Sequence, residues 1–173
     1  MESNNMENVT KDIGNALLSK FTDALIQQEL ILDFPTFTVK KESILAVLAF
    51  LYDFELYQFK FMTSLCGVHY PDNPIEKEFC VVYQLHDMVK NQRIRLKVFT
   101  SEKHIEVPSV TSLFSTANWL ERETYDFFGI KFTGHPNLTK ILNMEDQPYF
   151  PLRKQYQLED ETREDKDDSK FGR

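Results

Sequence analysis

Apolar residues recur at helical spacing from Asn8 to Gln28, where Ile13, Leu17, Phe21 and Leu25 form one stripe with Leu18 beside it, and this predicts an amphipathic helix. Leu30 to Lys40 is rich in β-formers but broken by Asp33 and Pro35. It reads as an edge strand or two short pieces, because proline removes a ladder donor. Glu42 to Asp53 returns to helical spacing, with Ile44, Leu45, Leu48 and Leu51 as the buried set and Ser43 as a candidate cap. Three strands are then predicted, over Glu55 to Tyr70, Glu78 to His86 and Arg93 to Thr100, joined through Pro71-Asp72-Asn73-Pro74 and through Met88 to Gln92. In the last of them Ile94, Leu96 and Val98 alternate with Arg93, Arg95 and Lys97, so one face meets a core and the other meets water or a partner. These three strands form an antiparallel meander.

Pro108-Ser109-Val110-Thr111 has the composition of a helix start and predicts a short helix over Val110 to Phe114. A longer helix follows, over Asn118 to Phe128, with Ala117, Leu120, Thr124, Phe127 and Phe128 on one side and Glu121, Arg122, Tyr125 and Asp126 on the other. Gly129 stands where a left-handed residue would end that helix, and Ile130 to Phe132 resume an extended path toward the Gly134-His135-Pro136 turn. Beyond it, Pro136, Pro148 and Pro151 forbid a long regular element. The order of elements predicts an α+β, two-layer domain, with helices on one face of a mixed, mostly antiparallel sheet and an extended irregular C-terminal arm. Its divisions are expected at 1–107 for the α+β core, 108–136 for the helix and Gly-His-Pro turn packed on it, and 137–173 for the arm and an acidic tail.

Composition narrows what such a domain can do. The 173 residues can bury a sizeable core, and they contain no run of about twenty apolar residues that would span a bilayer. Met1 to Val9 are polar and acidic, unlike a signal or transit peptide, so a cytoplasmic location is expected. The net charge of −7, with no basic cluster outside strand alternation, disfavours nucleic acid as a partner. Cys66 and Cys80 are the only cysteines and lack metal-binding spacing, which reads as two small buried hydrophobes rather than cluster ligands. His69, His86, His104 and His135 are scattered, and no phosphate loop or dinucleotide fingerprint occurs. The segment after Tyr156, QLEDETREDKDDSKFGR, has too few apolar residues to order itself alone.

Charge and aromatic residues concentrate between Ala117 and Tyr156. Arg122 and Asp126 are four apart and can pair along a helix, although with the basic residue first, which is the weaker orientation. Flanked by Glu121 and Glu123, they offer more hydrogen-bonding capacity than a solvated face requires. The alternatives are a solvated helix face and a fixed polar network that orders the following loop or docks a partner. His135 is the one residue with a case for acid–base chemistry, if Glu121 or Glu123 orients it; otherwise its imidazole fixes the turn.

Glu121-Arg122-Glu123, Tyr125-Asp126-Phe127-Phe128-Gly129-Ile130, Phe132, Gly134-His135-Pro136, Leu138, Ile141-Leu142 and Pro151-Leu152-Arg153-Lys154 with Tyr156 closely resemble the signature of the 30-kDa subunit of respiratory complex I, the proton-pumping NADH:quinone oxidoreductase. The resemblance extends to about Tyr156 and is strongest from Pro108 onward. Thr139-Lys140 stands where the family has two arginines, Gln147-Pro148-Tyr149-Phe150 where Trp and Gly are frequent, and Gln155 at an often acidic position. The resemblance implies the same α+β fold and a non-redox structural subunit of the peripheral arm's quinone module, at the cytoplasmic face of a bacterial inner membrane. It also implies no catalytic, cofactor or metal residue in this chain, with FMN, Fe–S clusters and quinone elsewhere in the complex. Its partners would be the 49-kDa-like (D), B and I subunits, and membrane contact would be indirect. The residues implied for the structural network or partner interface are Glu121, Arg122, Glu123, Asp126, His135, Lys140, Arg153, Lys154 and Tyr156, with Arg153 and Lys154 reaching carboxylates or carbonyls of a neighbour and Tyr156 as an aromatic anchor. Two alternatives remain open: an equivalent subunit of a related membrane-bound hydrogenase or formate-oxidising complex, and a stand-alone enzyme using Glu121, Glu123 and His135 on a small molecule.

Overall fold

The computed structural model of the chain describes residues 2–32 and 34–156. It is an α+β fold around a five-stranded mixed sheet. The main elements are α1 (Glu2–Lys20), β1 (Leu25–Ile31), β2 (Phe34–Val39), α2 (Ile44–Tyr52), β3 (Phe61–His69), β4 (Phe79–Asp87), β5 (Gln92–Thr100), β6 (Glu106–Pro108), α3 (Ala117–Phe128) and β7 (Lys131–Thr133). Strand order is β1-β2-β5-β4-β3, antiparallel throughout except for the parallel β2–β5 pair. The predicted meander is therefore β3-β4-β5, and the first hairpin docks on it through β2.

Alternation along β5 sets the layering. Ile94, Leu96 and Val98 are buried opposite Leu85, Tyr83 and Val81 of β4, and Leu65 and Gly67 of β3 continue these rows. Gly14 of α1 lies against Gln28 of β1, and Gly67 of β3 lies against Thr124 and Phe128 of α3. One continuous core, from Val9, Ile13 and Leu17 of α1 to Ile130 and Phe132, fills the space between helices and sheet.

Several expectations change. The first helix stops at Lys20, and Leu25 opens β1 instead of closing the helical stripe. The turn that breaks it runs through Thr22 and Asp23, with the Ala24 amide on the Phe21 carbonyl. Leu45 is 37% exposed, and Val47 takes its place in the core. Ser43 makes no side-chain cap, since a 3-10 turn over Lys41–Ser43 leads into α2. Val110 to Phe114 is a single turn, and Pro108 ends β6 instead of starting a helix. Cys66 is exposed, and only Cys80 is buried. Burial pushes the Cys80 thiol up to about 12, so it stays protonated. The acidic tail lies outside the described residues.

Candidate functional site

Three charged side chains on α3 and its following loop are each satisfied within the chain. Asp126, fully buried, accepts from the backbone amides of Ile141, Leu142 and Asn143 on one oxygen, at 3.0, 2.7 and 3.0 Å, and from the Asn143 side chain on the other at 3.0 Å. Burial alone would raise its pKa, but these donors outweigh it and hold the carboxyl below its usual value. One turn earlier, Arg122 stacks on Trp119 and donates to the Thr139 carbonyl and hydroxyl at 3.1 and 2.9 Å. Lys140 closes the same loop by donating to the carbonyls of Gln147 (2.6 Å) and Met144 (3.3 Å). The Arg122–Asp126 pair permitted by spacing is not formed. The anion collects the loop's amides and the cations collect its carbonyls, so each is used on backbone rather than on the other.

Glu121 is not on a solvated face. It is fully buried, and one oxygen accepts from the Val110 amide at 2.7 Å, which ties α3 to the turn after β6. Burial raises its pKa to about 7, against the opposing effects of the Val110 amide and Ser109. Its second oxygen and the Tyr83 hydroxyl are both buried without a protein partner. His135 donates from Nε2 to the Asn118 carbonyl (3.1 Å) and accepts the Asn137 amide on Nδ1 (3.0 Å). Both ring nitrogens are thereby used, and neither is left to Glu121. Glu123 is exposed and makes no hydrogen bond among the described residues. Glu121 and His135 are thus held by different partners, the Val110 amide for one and the Asn118 carbonyl and Asn137 amide for the other, while Glu123 faces solvent.

Arg153 anchors the end of the arm. The last turn of a helix leaves carbonyls without partners, and here the Leu152 amide takes that of Phe127 (3.2 Å) while Arg153 Nε takes that of Phe128 (2.8 Å). The guanidinium lies between the Phe79 and Phe150 rings, 5.0 and 4.8 Å from their centroids, and pairs with Glu102 at 2.9 Å. It is 9% exposed and is engaged inside the chain, on the negative end of α3. Gly129, at φ 77°, allows this closeness, since a Cβ there would stand 2.5 Å from the Phe150 ring. Lys154 contributes its backbone amide, to Nδ1 of His69 at 2.9 Å, and its side chain is exposed. His69 stacks on Phe79 and reaches Glu78 with Nε2 at 3.2 Å. The Tyr156 ring rests on Tyr149, 5.1 Å between centroids. His69, Phe79, Phe150 and Asn143 are members of this arrangement that the sequence did not announce. Only the closeness of Phe150 to Arg153 in the chain could have hinted at one of them.

Chemically, this is a clamp. Its charges act on backbone groups of residues 139–147 and on the Phe128 carbonyl at the end of α3, and among the described residues no three of His, Cys, Asp and Glu come together as a metal site. No described helix is long and apolar enough to cross a membrane.

A family model described as the 30-kDa subunit of respiratory-chain NADH dehydrogenase matches residues 37–162. Proteins named as the C subunit of NADH-quinone oxidoreductase are similar to the chain: one from Sinorhizobium medicae is 47% identical over 123 residues, covering 71% of this chain and 60% of that protein. One from Nocardioides sp. is 45% identical over 123 residues, covering 71% and 49%. The chain thus spans about half to three fifths of the length of these relatives. Among solved structures, the trypsin-resistant fragment (1-134) of Nqo5 superposes with a TM-score of 0.61 at 27% identity, over 80% of this chain and all of the fragment. A chain of the membrane-bound sulfane sulfur reductase, an archaeal respiratory membrane complex, shares the fold, with a TM-score of 0.68 at 22% identity over 86% of this chain and 85% of that one.

Proposed function

The chain belongs to the family of the 30-kDa subunit of respiratory-chain NADH dehydrogenase, and we propose on that premise that it is a structural subunit which carries no redox group itself. In this reading it holds the large 49-kDa-like (D) subunit of the quinone module, beside the B and I subunits, on the cytoplasmic side of the membrane. NADH oxidation by FMN, transfer through Fe–S clusters and quinone reduction take place in other chains. The observation that carries the reading is that Arg122, Asp126, Lys140 and Arg153 all act on backbone groups of the arm or of the helix end it covers. A catalytic centre would gather such charges around a shared vacant point. A clamp instead fixes a long irregular segment in one shape, so that a neighbour binds it without meeting the full cost of ordering it.

The test is to introduce Asp126→Ala into the intact complex and measure both the amount assembled and the turnover per assembled particle. The reading expects assembly to fall and turnover per particle to hold. Normal assembly with lost turnover would overturn it. Identifying the proteins that co-purify with the chain separates this complex from a hydrogenase or formate-oxidising relative.

A further inference from the structure

The helices reach the sheet on one face. Gly14 of α1 meets Gln28 of β1, and Gly67 of β3 meets Thr124 and Phe128 of α3. Gln28 and Gly67 stand in rows that run through the buried Leu96 and Val98 of β5, and α2 adds its apolar side chains to the same core. The opposite face belongs to the alternate residues. β5 is the middle strand, and it places Arg93, Arg95 and Lys97 there, with Arg95 and Lys97 in register with Thr36 and Thr38 of β2 and with Gln84 and Val82 of β4.

These cations follow the centre of the face without an ion pair or a hydrogen bond among the described residues, and Arg95 lies over the Phe34 ring at 5.1 Å. The acids near them stand at the margins. Glu29 is on the outermost strand, two strand spacings or about 10 Å from Arg95, and is taken by the Gln27 side-chain amide. Glu123 stands beside Cys66 at the rim formed by β3, and Glu76 beside Lys77 in the turn before β4. The centre therefore carries charge of one sign, in a chain whose net charge is −7, and calls for an acidic occupant.

The chain supplies one itself. Past Tyr156 it continues as Gln157-Leu158-Glu159-Asp160-Glu161-Thr162, with three acids and no base before Arg163. The point from which this segment departs is close to the cations. The Lys154 amide is bound to Nδ1 of His69 at 2.9 Å, and the next residue, Tyr70, already meets Phe99, the residue that follows Lys97 on the cationic face, with 6.4 Å between ring centroids. From Lys154 to Glu161 an extended chain reaches about 24 Å. Crossing from β3 to β5 takes about 10 Å, so about 14 Å is left for rounding the end of the hairpin. We propose that Glu159, Asp160 and Glu161 dock in cis on Arg93, Arg95 and Lys97 and cover the centre of the face opposite the helices. Exposed ion pairs are weak one by one, but a short tether holds the acids at effective concentrations in the mM range. The contact is therefore intramolecular and sensitive to salt. It goes beyond the subunit reading and does not depend on it.

A carbodiimide, which joins an amine to a carboxylate only where the two meet, tests this on the full chain at low concentration. Crosslinked peptides of the monomer are quantified by mass spectrometry, with Lys11 on α1, also exposed, as the reference lysine. Lys97 is expected to couple to Glu159, Asp160 or Glu161 about ten-fold more than Lys11 does, and that yield to fall about five-fold between about 20 and about 500 mM NaCl. Arg93→Glu/Arg95→Glu, which leaves Lys97 in place, should cut it about ten-fold through like-charge repulsion. Because those two positions lie within the sheet, a second variant is made in the tail: Glu159→Lys/Asp160→Lys/Glu161→Lys should shift the backbone amide resonances of Arg95 and Lys97. Lys97 coupling no better than Lys11 would overturn the inference, as would coupling found only between two copies in a mixture of 15N-labelled and unlabelled chain. A yield indifferent to salt, or β5 resonances that do not respond to the tail reversal, would overturn it equally.

Discussion

Asp126 illustrates how much one buried carboxylate can organise. Removing it leaves three backbone amides without an acceptor, and each costs about 1–3 kcal/mol if it stays buried. The loop can recover part of that cost by moving into water. Asp126→Ala is therefore expected to lower stability by about 3 kcal/mol in total and, more specifically, to abolish hydrogen-exchange protection of the Ile141, Leu142 and Asn143 amides. Exchange rates at those three amides that match the unaltered chain would refute the clamp. Glu121 makes the opposite case. Its pKa is raised to about 7 in the folded state, so between its unfolded value near 4.5 and that point the folded chain binds more protons than the unfolded one. Stability from this group is then fully present below pH 4.5 and declines as pH rises toward 7, by on the order of 3 kcal/mol. Glu121→Gln keeps the acceptor for Val110 and removes the ionisation, so urea midpoints measured across that window should flatten relative to the parent. An unchanged slope would mean that another group controls it. Asp126, with its pKa lowered, contributes the reverse trend, losing stability as pH falls into the acid range.

At the scale of elements, legibility follows the range of the interactions involved. α3 and its Gly129 stop can be read because both are local: a helical period, and a left-handed position that favours glycine. The end of α1 cannot. Leu17, Phe21 and Leu25 keep helical spacing across the break, and all three pack in or against the core, so the periodicity carries no trace of the turn. β6 and β7 pair over three residues each, too short for alternation to register. Glu121 falls by spacing on the polar side of its helix, and only the need of a distant amide, at Val110, explains its burial. The arm's attachment is similarly hidden, since Arg153 meets Phe79 and Glu102 from far along the chain. Gly129 joins the local and distant parts. Gly129→Ala would both strain a φ of 77° and drive a Cβ into the Phe150 ring, so α3 should persist while the arm detaches. Circular dichroism would then be nearly unchanged, and the Arg153–Glu102 contact would be lost, read as faster cleavage after Arg153. An arm as protected in Gly129→Ala as in the parent would contradict this account.

The whole molecule divides into a part held by burial and a part held by polar contacts. The core runs from Val9 to Phe132, and past that residue, among the described residues, only Leu138 packs against it. Residues 139–156 stay in place through Arg122, Asp126, Lys140, Arg153 and His69, with Phe150 as the main apolar contribution. Polar contacts open more readily than a packed core, and cleavage that follows such openings reports local rather than global stability. Within residues 25–156, trypsin is therefore expected to cut first after Lys154, whose side chain is exposed, and more slowly after Arg153 and Lys140, whose side chains are engaged. Asp126→Ala should bring cleavage after Lys140 forward while the segment from Leu25 to Thr133 remains intact. Time-resolved mass spectrometry of the digest gives this order directly. Early cuts within the sheet, ahead of Lys154, would show that core and arm unfold as one unit, and that the clamp does not act separately from the domain it is mounted on.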